Sequence, residues 1–372
     1  MNSRSDRLAA ILVILPSLLL LAVFVYGFIG QTLWVSLTDW GQGAGALALN
    51  PQIHWVGLEN YKSLFTGFLD VRFRQDMVNM VFFTVLFVGA SLLLGLLLAI
   101  LIDQHLPGEG VFRTIFLYPM SLSLVVTGTI WRWMLQPQGG INALPTLFGL
   151  PASNFLWMSS RTQILQFNWQ ALPAYLCWAG VAVLAVAACV YLVKGRHKTA
   201  AFFAAPALLL LALVAWGPAG RAALLPYPET HGFNLALLGI VLAAVWQMSG
   251  YTMALYLAGL RTIPDELREA ARVDGASPLQ VYRYVELPLL APITWSAVII
   301  LGHIALKIFD LVFAMAGPDN ASTSVPAISM YLTTFRGNQF ATGAAIAVVL
   351  LLMVAALIIP YLASLLRPGR AQ

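Results

Sequence analysis

Three ionisable residues, His303, Lys307 and Asp310, interrupt an otherwise apolar stretch of the sequence. Their spacings of i, i+4 and i+7 predict one face of a single helix from Ile293 to Ala316. At membrane depth, ionisable groups are costly and usually face a bundle interior or an aqueous cavity. Two interpretations stay open. The face lines a solute path with His303 deepest, or Lys307 and Asp310 only neutralise each other near the outer interface.

No group of residues predicts catalysis. The sequence has no G-x-x-x-x-G-K-[ST] loop to hold the phosphates of ATP. Cys177 and Cys189 share one apolar segment without a Cys or His partner at metal-ligand spacing, so we predict no metal site and no disulfide. His54 and His231 fall in polar loops, where we expect solvated side chains. The chemistry to explain is therefore binding.

Long apolar segments must position these residues, because 60% of the 372 residues are hydrophobic and only 9% are charged. A membrane-spanning helix needs roughly 20 mostly apolar residues. We predict an all-α integral membrane protein, with one domain over residues 1–372 and no nucleic-acid partner. The predicted spans, about eight in number, are Leu8–Ile29, Val78–Ile102, Thr114–Leu135, Ala171–Val193, Thr199–Trp216, Leu235–Leu260, Ile293–Ala316 and Ala341–Leu366.

Two of these helices form a pair that we interpret as an insertion at residues 171–225. They are joined by the basic turn KGRHK, Lys194 to Lys198. Because they contain almost no polar residues, we expect both to face lipid. Because they come as a pair, removing them leaves the sidedness of the later helices unchanged, and six core helices remain.

The positive charges predict the orientation of the chain. With the N terminus inside and eight helices following, most Lys and Arg side chains lie on the inner side and both termini are cytoplasmic, as the positive-inside rule expects. Residues 261–292 then form a cytoplasmic loop. The inner cations are Arg4, Arg7, Arg113, Lys194, Arg196, Lys198, Arg261, Arg268, Arg272, Arg283, Arg367 and Arg370.

The cytoplasmic loop has the pattern of a capped helix-turn-helix. Pro264 suits a first helical turn, and the acidic residues after it suit the positive end of the helix dipole. Gly275 ends this helix, because glycine adopts the left-handed conformation at low cost. Ser277, Pro278 and Gln280 predict a second helix start with a capping box.

The first helix of the loop presents Leu267, Ala270 and Ala271 on one face, at spacings i, i+3 and i+4. Small apolar residues flanked by charge are typical of a docking surface for a cytoplasmic partner. An ordinary amphipathic loop at the interface is the other interpretation of these residues alone.

The loop resembles the signature loop of permease subunits of binding-protein-dependent ABC importers. Glu269-Ala270-Ala271, Gly275 and Leu287-Pro288 fill the family's positions, with Val285 in place of the more usual isoleucine. Other segments resemble the carbohydrate branch, on the maltose-permease side of its heterodimer. They are VGLENY (Val56 to Tyr61), FRTIFLYPMSLSLVVTGTIWRWM (Phe112 to Met134) and GGIN (Gly139 to Asn142). The paired helices depart from the family's usual six-helix core.

The resemblance implies a type I ABC importer transmembrane domain in the inner membrane of a bacterium or archaeon. Its expected partners are a second homologous permease, an ATPase dimer that binds the ATP, an extracytoplasmic sugar-binding protein and membrane lipid. The expected solute is a carbohydrate such as glucose, mannose, maltose or trehalose. The residues expected to couple to the ATPase are Glu269, Ala270, Ala271, Asp274, Gly275, Leu287 and Pro288.

The same resemblance implies that the helices before and after the loop line the solute path. Sugars offer hydroxyl groups for hydrogen bonds and apolar C–H faces for stacking, which aromatic and amide side chains suit. Packing is the alternative role for the aromatic residues. The residues expected at the substrate are Trp246, Gln247, Tyr251, His303, Lys307 and, as a weaker candidate, Asn79.

Two other classes of protein are weighed against this one. A secondary transporter should carry inverted repeats and coupling carboxylates at the midplane, whereas Asp310 is the one carboxylate inside a predicted helix of this region. A polytopic membrane enzyme would need a catalytic carboxylate, histidine or metal cluster, and the sequence shows none.

Overall fold

The computed structural model describes residues 4–43, 52–104, 107–217 and 222–365. Strands β1 (Gln163–Asn168) and β2 (Thr230–Asn234) pair antiparallel. The helices are α1 (Arg4–Leu21), α2 (Phe28–Ser36), α3 (Glu59–Thr66), α4 (Val71–Asp103), α5 (Glu109–Leu117), α6 (Leu124–Met134), α7 (Leu172–Val193), α8 (His197–Ala215), α9 (Leu235–Leu260), α10 (Asp265–Val273), α11 (Pro278–Val281), α12 (Leu287–Leu289), α13 (Ala291–Leu306), α14 (Asp310–Ala316), α15 (Pro326–Tyr331) and α16 (Phe340–Leu365).

The predicted membrane architecture is confirmed. Within the described ranges, 6 continuous helical segments are long and apolar enough to cross a membrane, and two bent pairs raise the number to as many as 8 by length and composition. The small β1–β2 sheet was not predicted. Arg367 and Arg370, which the topology prediction places inside, lie outside the described residues.

The core is built around α4 and α9, which pack along much of their length. Phe83 and Phe87 of α4 are almost completely buried, as are Leu237 and Ile240 of α9. The two helices approach closely at Gly95, where a Cβ atom would overlap the Thr252 side chain. Small residues allow this approach in membrane helices, where packing and hydrogen bonds replace the hydrophobic effect as the driving force.

The prediction of one helix over Thr114–Leu135 is wrong, because the chain bends by 100° between α5 and α6. A 3-10 turn at Tyr118–Ser121 contains Pro119, whose ring nitrogen has no proton to donate. Ser123 then caps α6 by accepting a hydrogen bond from the Val126 amide. The bend leaves the Leu122 carbonyl without a helical partner, and Gln247 of α9 donates to it at 2.7 Å.

The predicted single helix Ile293–Ala316 is also wrong. Helix α13 ends at Leu306, and α14 begins at Asp310, whose carboxylate suits a first helical turn. His303, Lys307 and Asp310 therefore do not share one continuous helical face. No ion pair joins Lys307 to Asp310 in the described part of the chain.

Helix α4 starts seven residues before the predicted Val78, because polar side chains in its first turns are buried and paired. Arg74 has no exposed surface and binds the Glu229 carboxylate through two hydrogen bonds of 2.7 and 2.6 Å. His231, which we expected to be solvated, is only 4% exposed. Its Nε2 atom lies 2.6 Å from Glu229 Oε1, and its Nδ1 atom lies 2.8 Å from Gln75 Oε1.

This Arg74–Glu229–His231 cluster ties the segment before α9 to the first turns of α4. Charges that are removed from water must be paired and hydrogen-bonded to be tolerated. In the sequence, Arg74 and Glu229 are isolated ionisable residues that lie 155 positions apart. Their pairing depends on the tertiary fold. Hydropathy alone therefore predicted the wrong first residue for α4 and a solvated side chain for His231.

We expect acid to weaken this connection. Burial raises the pKa of Glu229, but hydrogen bonds from Arg74 and His231 outweigh it, so the pKa ends below its ordinary value of 4.5. Burial lowers the pKa of His231 from 6.5, and contact with Glu229 only partly opposes this. A group whose pKa is lower in the folded state than in the unfolded state contributes to stability. That contribution is complete at pH values above the unfolded-state pKa and is lost as the pH falls.

Thermal melting of the purified chain should therefore hold steady above about pH 6.5 and decline below it, with a further decline below about pH 4.5. The variant His231→Asn should lose the first of these two declines and keep the second. A melting temperature that rises as the pH falls from 7 to 5 would contradict the assignment.

Candidate functional site

The cytoplasmic loop predicted at residues 261–292 is a helix-turn-helix whose first helix, α10, is open on its outer side. Glu269 and Ala270 are exposed and Ala271 is half-buried. Leu267 is 45% exposed and Val273, at the end of α10, is 87% exposed. The described residues thus leave uncovered an apolar face with a charged edge.

Gly275 ends α10 as predicted, with φ +84°. The Gly275 amide donates to the Arg272 carbonyl at 3.0 Å, and the Ala276 amide donates to the Ala271 carbonyl at 3.0 Å. This pair of bonds is a Schellman motif, which satisfies the last carbonyls of a helix through a residue in the left-handed conformation. The direction in which the chain leaves α10 therefore depends on Gly275.

The second helix begins with the predicted capping box. The Ser277 amide donates to the Gln280 side chain at 2.7 Å, and the Ser277 side chain accepts from the backbone amide of Gln280. From Pro278 the helix continues through a π turn (Tyr282–Glu286) and α12. Leu287 and Pro288 lie in its last turn, and the chain then bends by 64° into α13.

Arg268 anchors α10 to three other elements. Its guanidinium lies 3.3 Å from Asp103 Oδ2 at the end of α4 and donates to the Leu260 carbonyl of α9 at 3.1 Å. Its Nε atom lies 3.1 Å from Glu286 Oε1, an ion-pair distance without hydrogen-bond geometry. The side chains of Asp103 and Glu286 are 8% and 5% exposed, so these charges meet away from bulk water.

A second arginine extends the network to α5. Arg261 donates to Glu109 at 2.8 Å and lies 3.7 Å from Asp103. Arg113 binds the same Glu109 carboxylate. The hydrogen bond to Glu109 raises the pKa of the Arg261 guanidinium. Arg113 and Arg261 were predicted as cations of the inner side, but their ion pairs with Glu109 and Asp103 were not predicted.

A cavity of about 470 Å³ lies between the helices that flank the loop. It is mostly apolar, and its polar wall contains Gln247, Lys307 and Asp310. The Gln247 Nε2 atom is held by the Leu122 carbonyl, which leaves its buried Oε1 atom without a partner in the described structure. An unsatisfied buried acceptor is costly unless a ligand or water donates to it. The cavity volume falls within the range of small-molecule sites.

Four of the predicted substrate residues do not line this cavity. Trp246 packs edge to face on Trp131 with ring centroids 6.0 Å apart. Tyr251 packs against the main core, and His303 is half-buried with an Nδ1 atom that has no hydrogen-bond partner among the described residues. Asn79 is fully buried, and it donates to the Ser324 carbonyl at 2.8 Å while accepting from Gln75. The role of these four at a substrate stays a prediction.

Comparison with known proteins identifies the class of membrane protein. The chain is 35% identical to a probable ABC transporter permease protein of Pyrococcus horikoshii, over 97% of each chain. It is 31% identical to the xylose/arabinose import permease protein XacH of Haloferax volcanii, over 92% of this chain and 83% of that one. A chain of the bacterial alginate ABC transporter has the same fold, with a TM-score of 0.59, 16% identity and coverage of 96% and 92%.

The fold, the spans and these relatives define a multi-pass permease of ABC importer architecture. Residues 199–372 match the family described as the inner membrane component of binding-protein-dependent transport systems. The chain belongs to this family, as the resemblance of its loop to the family's signature loop predicted.

Proposed function

We propose that this chain is the permease subunit of an ATP-driven carbohydrate importer and that α10 docks in a cleft of a separate ATPase subunit. The observation that carries the proposal is the exposed α10, where Glu269 and Ala270 are open to solvent and Ala271 is half-buried, while Arg268 anchors the other side of the helix. No phosphate-binding loop is present in the sequence to hydrolyse ATP in this chain.

The contacts of Arg268 connect α10 to the membrane helices, so that a movement of α10 on docking would be transmitted to them. A displacement of α10 must move or break its ion pairs with Asp103 at the end of α4 and with Glu286 before α13. Helices α4 and α13 both line the cavity, through Phe87 and Ile304. Closure of an ATPase dimer around α10 would thus change the walls of the cavity, as alternating access requires, with Leu287 and Pro288 at the bend into α13.

The cavity suits a polar, uncharged solute with apolar faces. Gln247 offers a free carbonyl oxygen to a hydroxyl donor. Lys307, which lines the cavity and forms no ion pair within the described residues, offers hydrogen-bond donors. Leu122, Leu124 and Met248 give the apolar wall that sugar C–H faces require. The volume of about 470 Å³ suits a mono- or disaccharide.

The names of relatives support a carbohydrate as the solute, but they do not identify which carbohydrate. XacH is a xylose/arabinose import permease protein, and MalF of Thermococcus litoralis, 25% identical over 94% of this chain and 91% of that one, is a trehalose/maltose transport system permease protein. A second homologous permease and an extracytoplasmic sugar-binding protein complete the proposed importer. The orientation with both termini in the cytoplasm of a bacterial or archaeal cell belongs to the same proposal.

Replacing Lys307 with leucine is expected to lower sugar uptake by roughly tenfold to a hundredfold, because a hydrogen bond to a charged group contributes roughly 1.5–3 kcal/mol. Lys307 is exposed at the cavity and forms no ion pair in the described residues, so the variant should assemble normally. Uptake is measured in proteoliposomes that contain the complete importer.

The matched control is Lys62→Gln, which removes a cation that is 70% exposed in α3 and does not line the cavity. It should leave uptake unchanged. If Lys307→Leu transports as fast as the unmodified chain, the cavity is not the solute path. If assembly is lost instead, the packing interpretation of this region is favoured.

A further inference from the structure

Helices α7 and α8 form an arm that packs mainly on itself. The rings of Tyr191 in α7 and Phe203 in α8 stack, with their centroids 5.5 Å apart and an angle of 3° between their planes. Apolar side chains along both helices face outward, including Val183 at 68%, Phe202 at 73% and Leu208 at 65% exposure. An all-round apolar helix needs an apolar environment, so the sides of this arm are suited to lipid tails.

The arm is held firmly at one end. Strand β1 lies just before α7 and pairs with β2, which begins at Thr230 after the end of α8, and the Trp169 amide donates to the Glu229 carbonyl at 2.7 Å. The Arg74–Glu229–His231 cluster fixes this end to α4. Helix α7 has 22 residues and is therefore about 33 Å long. That length matches a hydrocarbon core of roughly 30 Å, so the far end of the arm reaches the opposite headgroup layer.

The far end is a tight turn with a concentrated positive charge. Gly195, at φ +68°, closes α7 through a Schellman motif, in which the Arg196 amide donates to the Tyr191 carbonyl at 2.9 Å. The side chains of Lys194, Arg196, His197 and Lys198 are all exposed. None of them takes part in an ion pair within the described residues, where the observed ion pairs join other residues.

The sequence on both sides of the turn lacks acidic residues over a long distance. Between Glu109 and Glu229 the sequence contains no Asp or Glu at all. The arm therefore brings no counterion of its own to the turn, whereas cations elsewhere on the inner side, such as Arg261 and Arg268, are matched by carboxylates. An anion supplied by the membrane surface fits this charge imbalance.

We propose that the turn at residues 194–198 binds the phosphate headgroup of an anionic phospholipid, with the acyl chains along the apolar sides of α7 and α8. Arginine matches a phosphate through two parallel hydrogen bonds, and lysine adds point charges beside it. Clusters of Lys and Arg at the end of a membrane helix attract anionic lipids in this way. The proposal does not depend on the transported solute.

The test measures lipid retained by the purified full-length chain after detergent extraction from membranes with equal parts of phosphatidylglycerol and phosphatidylcholine. The unmodified chain should retain phosphatidylglycerol preferentially. The variant Lys194→Gln/Arg196→Gln/Lys198→Gln should lose that preference, by about fivefold in affinity for each side chain replaced. The charge-preserving variant Lys194→Arg/Lys198→Arg should retain it, and so should Lys62→Gln.

Raised salt gives a second readout on the unmodified chain, which keeps the test valid if the triple variant fails to fold. Because added ions screen exposed charges, phosphatidylglycerol retention should fall as ionic strength rises from 0.01 to about 1 M. Equal retention of the two lipids by the unmodified chain overturns the proposal. So does an unchanged preference in a folded triple variant, which would leave membrane topology as the whole reason for these charges.

Discussion

Replacing Arg268 with glutamate is expected to detach α10 from the membrane helices and to abolish uptake. The variant would set a third carboxylate against Asp103 and Glu286, whose side chains are only 8% and 5% exposed. Breaking a buried ion pair by removing one partner costs roughly 3–5 kcal/mol, because it leaves a charge that is neither solvated nor paired. Melting temperature, ATPase co-purification and uptake should all fall.

Two variants separate this effect from a general change of charge. Arg272→Glu makes the same substitution one helical turn later, on an exposed side chain without an ion pair in the described residues, and should keep the melting temperature. In the double variant Arg268→Gln/Glu286→Gln, the uncompensated charge at residue 286 is also removed, so the melting temperature should fall by less than the two single effects added together. Strict additivity would contradict the contact.

Replacing Gly275 with valine is expected to lower ATPase binding and uptake about tenfold. A Cβ atom at this position would meet nothing within 4 Å, so no collision is involved. The cost comes from φ +84°, which a β-branched residue adopts only at a penalty of roughly 1–2 kcal/mol or more. Relief of that strain would open the Schellman turn and redirect the second helix away from α10.

The control for this prediction is Gly275→Asn, because asparagine enters the left-handed region more readily than other non-glycine residues. Its binding and uptake should stay close to those of the unmodified chain. Equal losses for asparagine and valine would show that side-chain volume matters at this position, and the account of the turn by backbone conformation would then be wrong.

The sequence predicted the helix-turn-helix of residues 261–292 well because local rules determine it. The stop at Gly275 and the capping box at Ser277 and Gln280 depend on residues within a few positions of one another. Helix α9 was predicted with its observed bounds for a similar reason, since a continuous apolar run of 26 residues has few other structures available in a membrane.

The bends and buried charges were not predicted, because partners distant in sequence determine them. The break at Leu122 is stabilised by Gln247, 125 residues further along the chain. Helix α4 begins at Val71, and Arg74 in its first turn is buried with the distant Glu229 as its ion-pair partner. The break after Leu306 removed the single face on which the predicted grouping of His303, Lys307 and Asp310 depended, although Lys307 and Asp310 still reach one cavity.

In the proposed importer α10 connects this permease to a separate ATPase, and the variant Glu269→Lys tests that connection. Glu269 is exposed and takes part in no ion pair within the described residues, so its reversal should leave the fold intact. The measurement is co-purification of the tagged chain from cells that express the whole importer. We expect the second permease to be retained while the ATPase is lost and uptake stops. Full retention of the ATPase with normal uptake would contradict the claim.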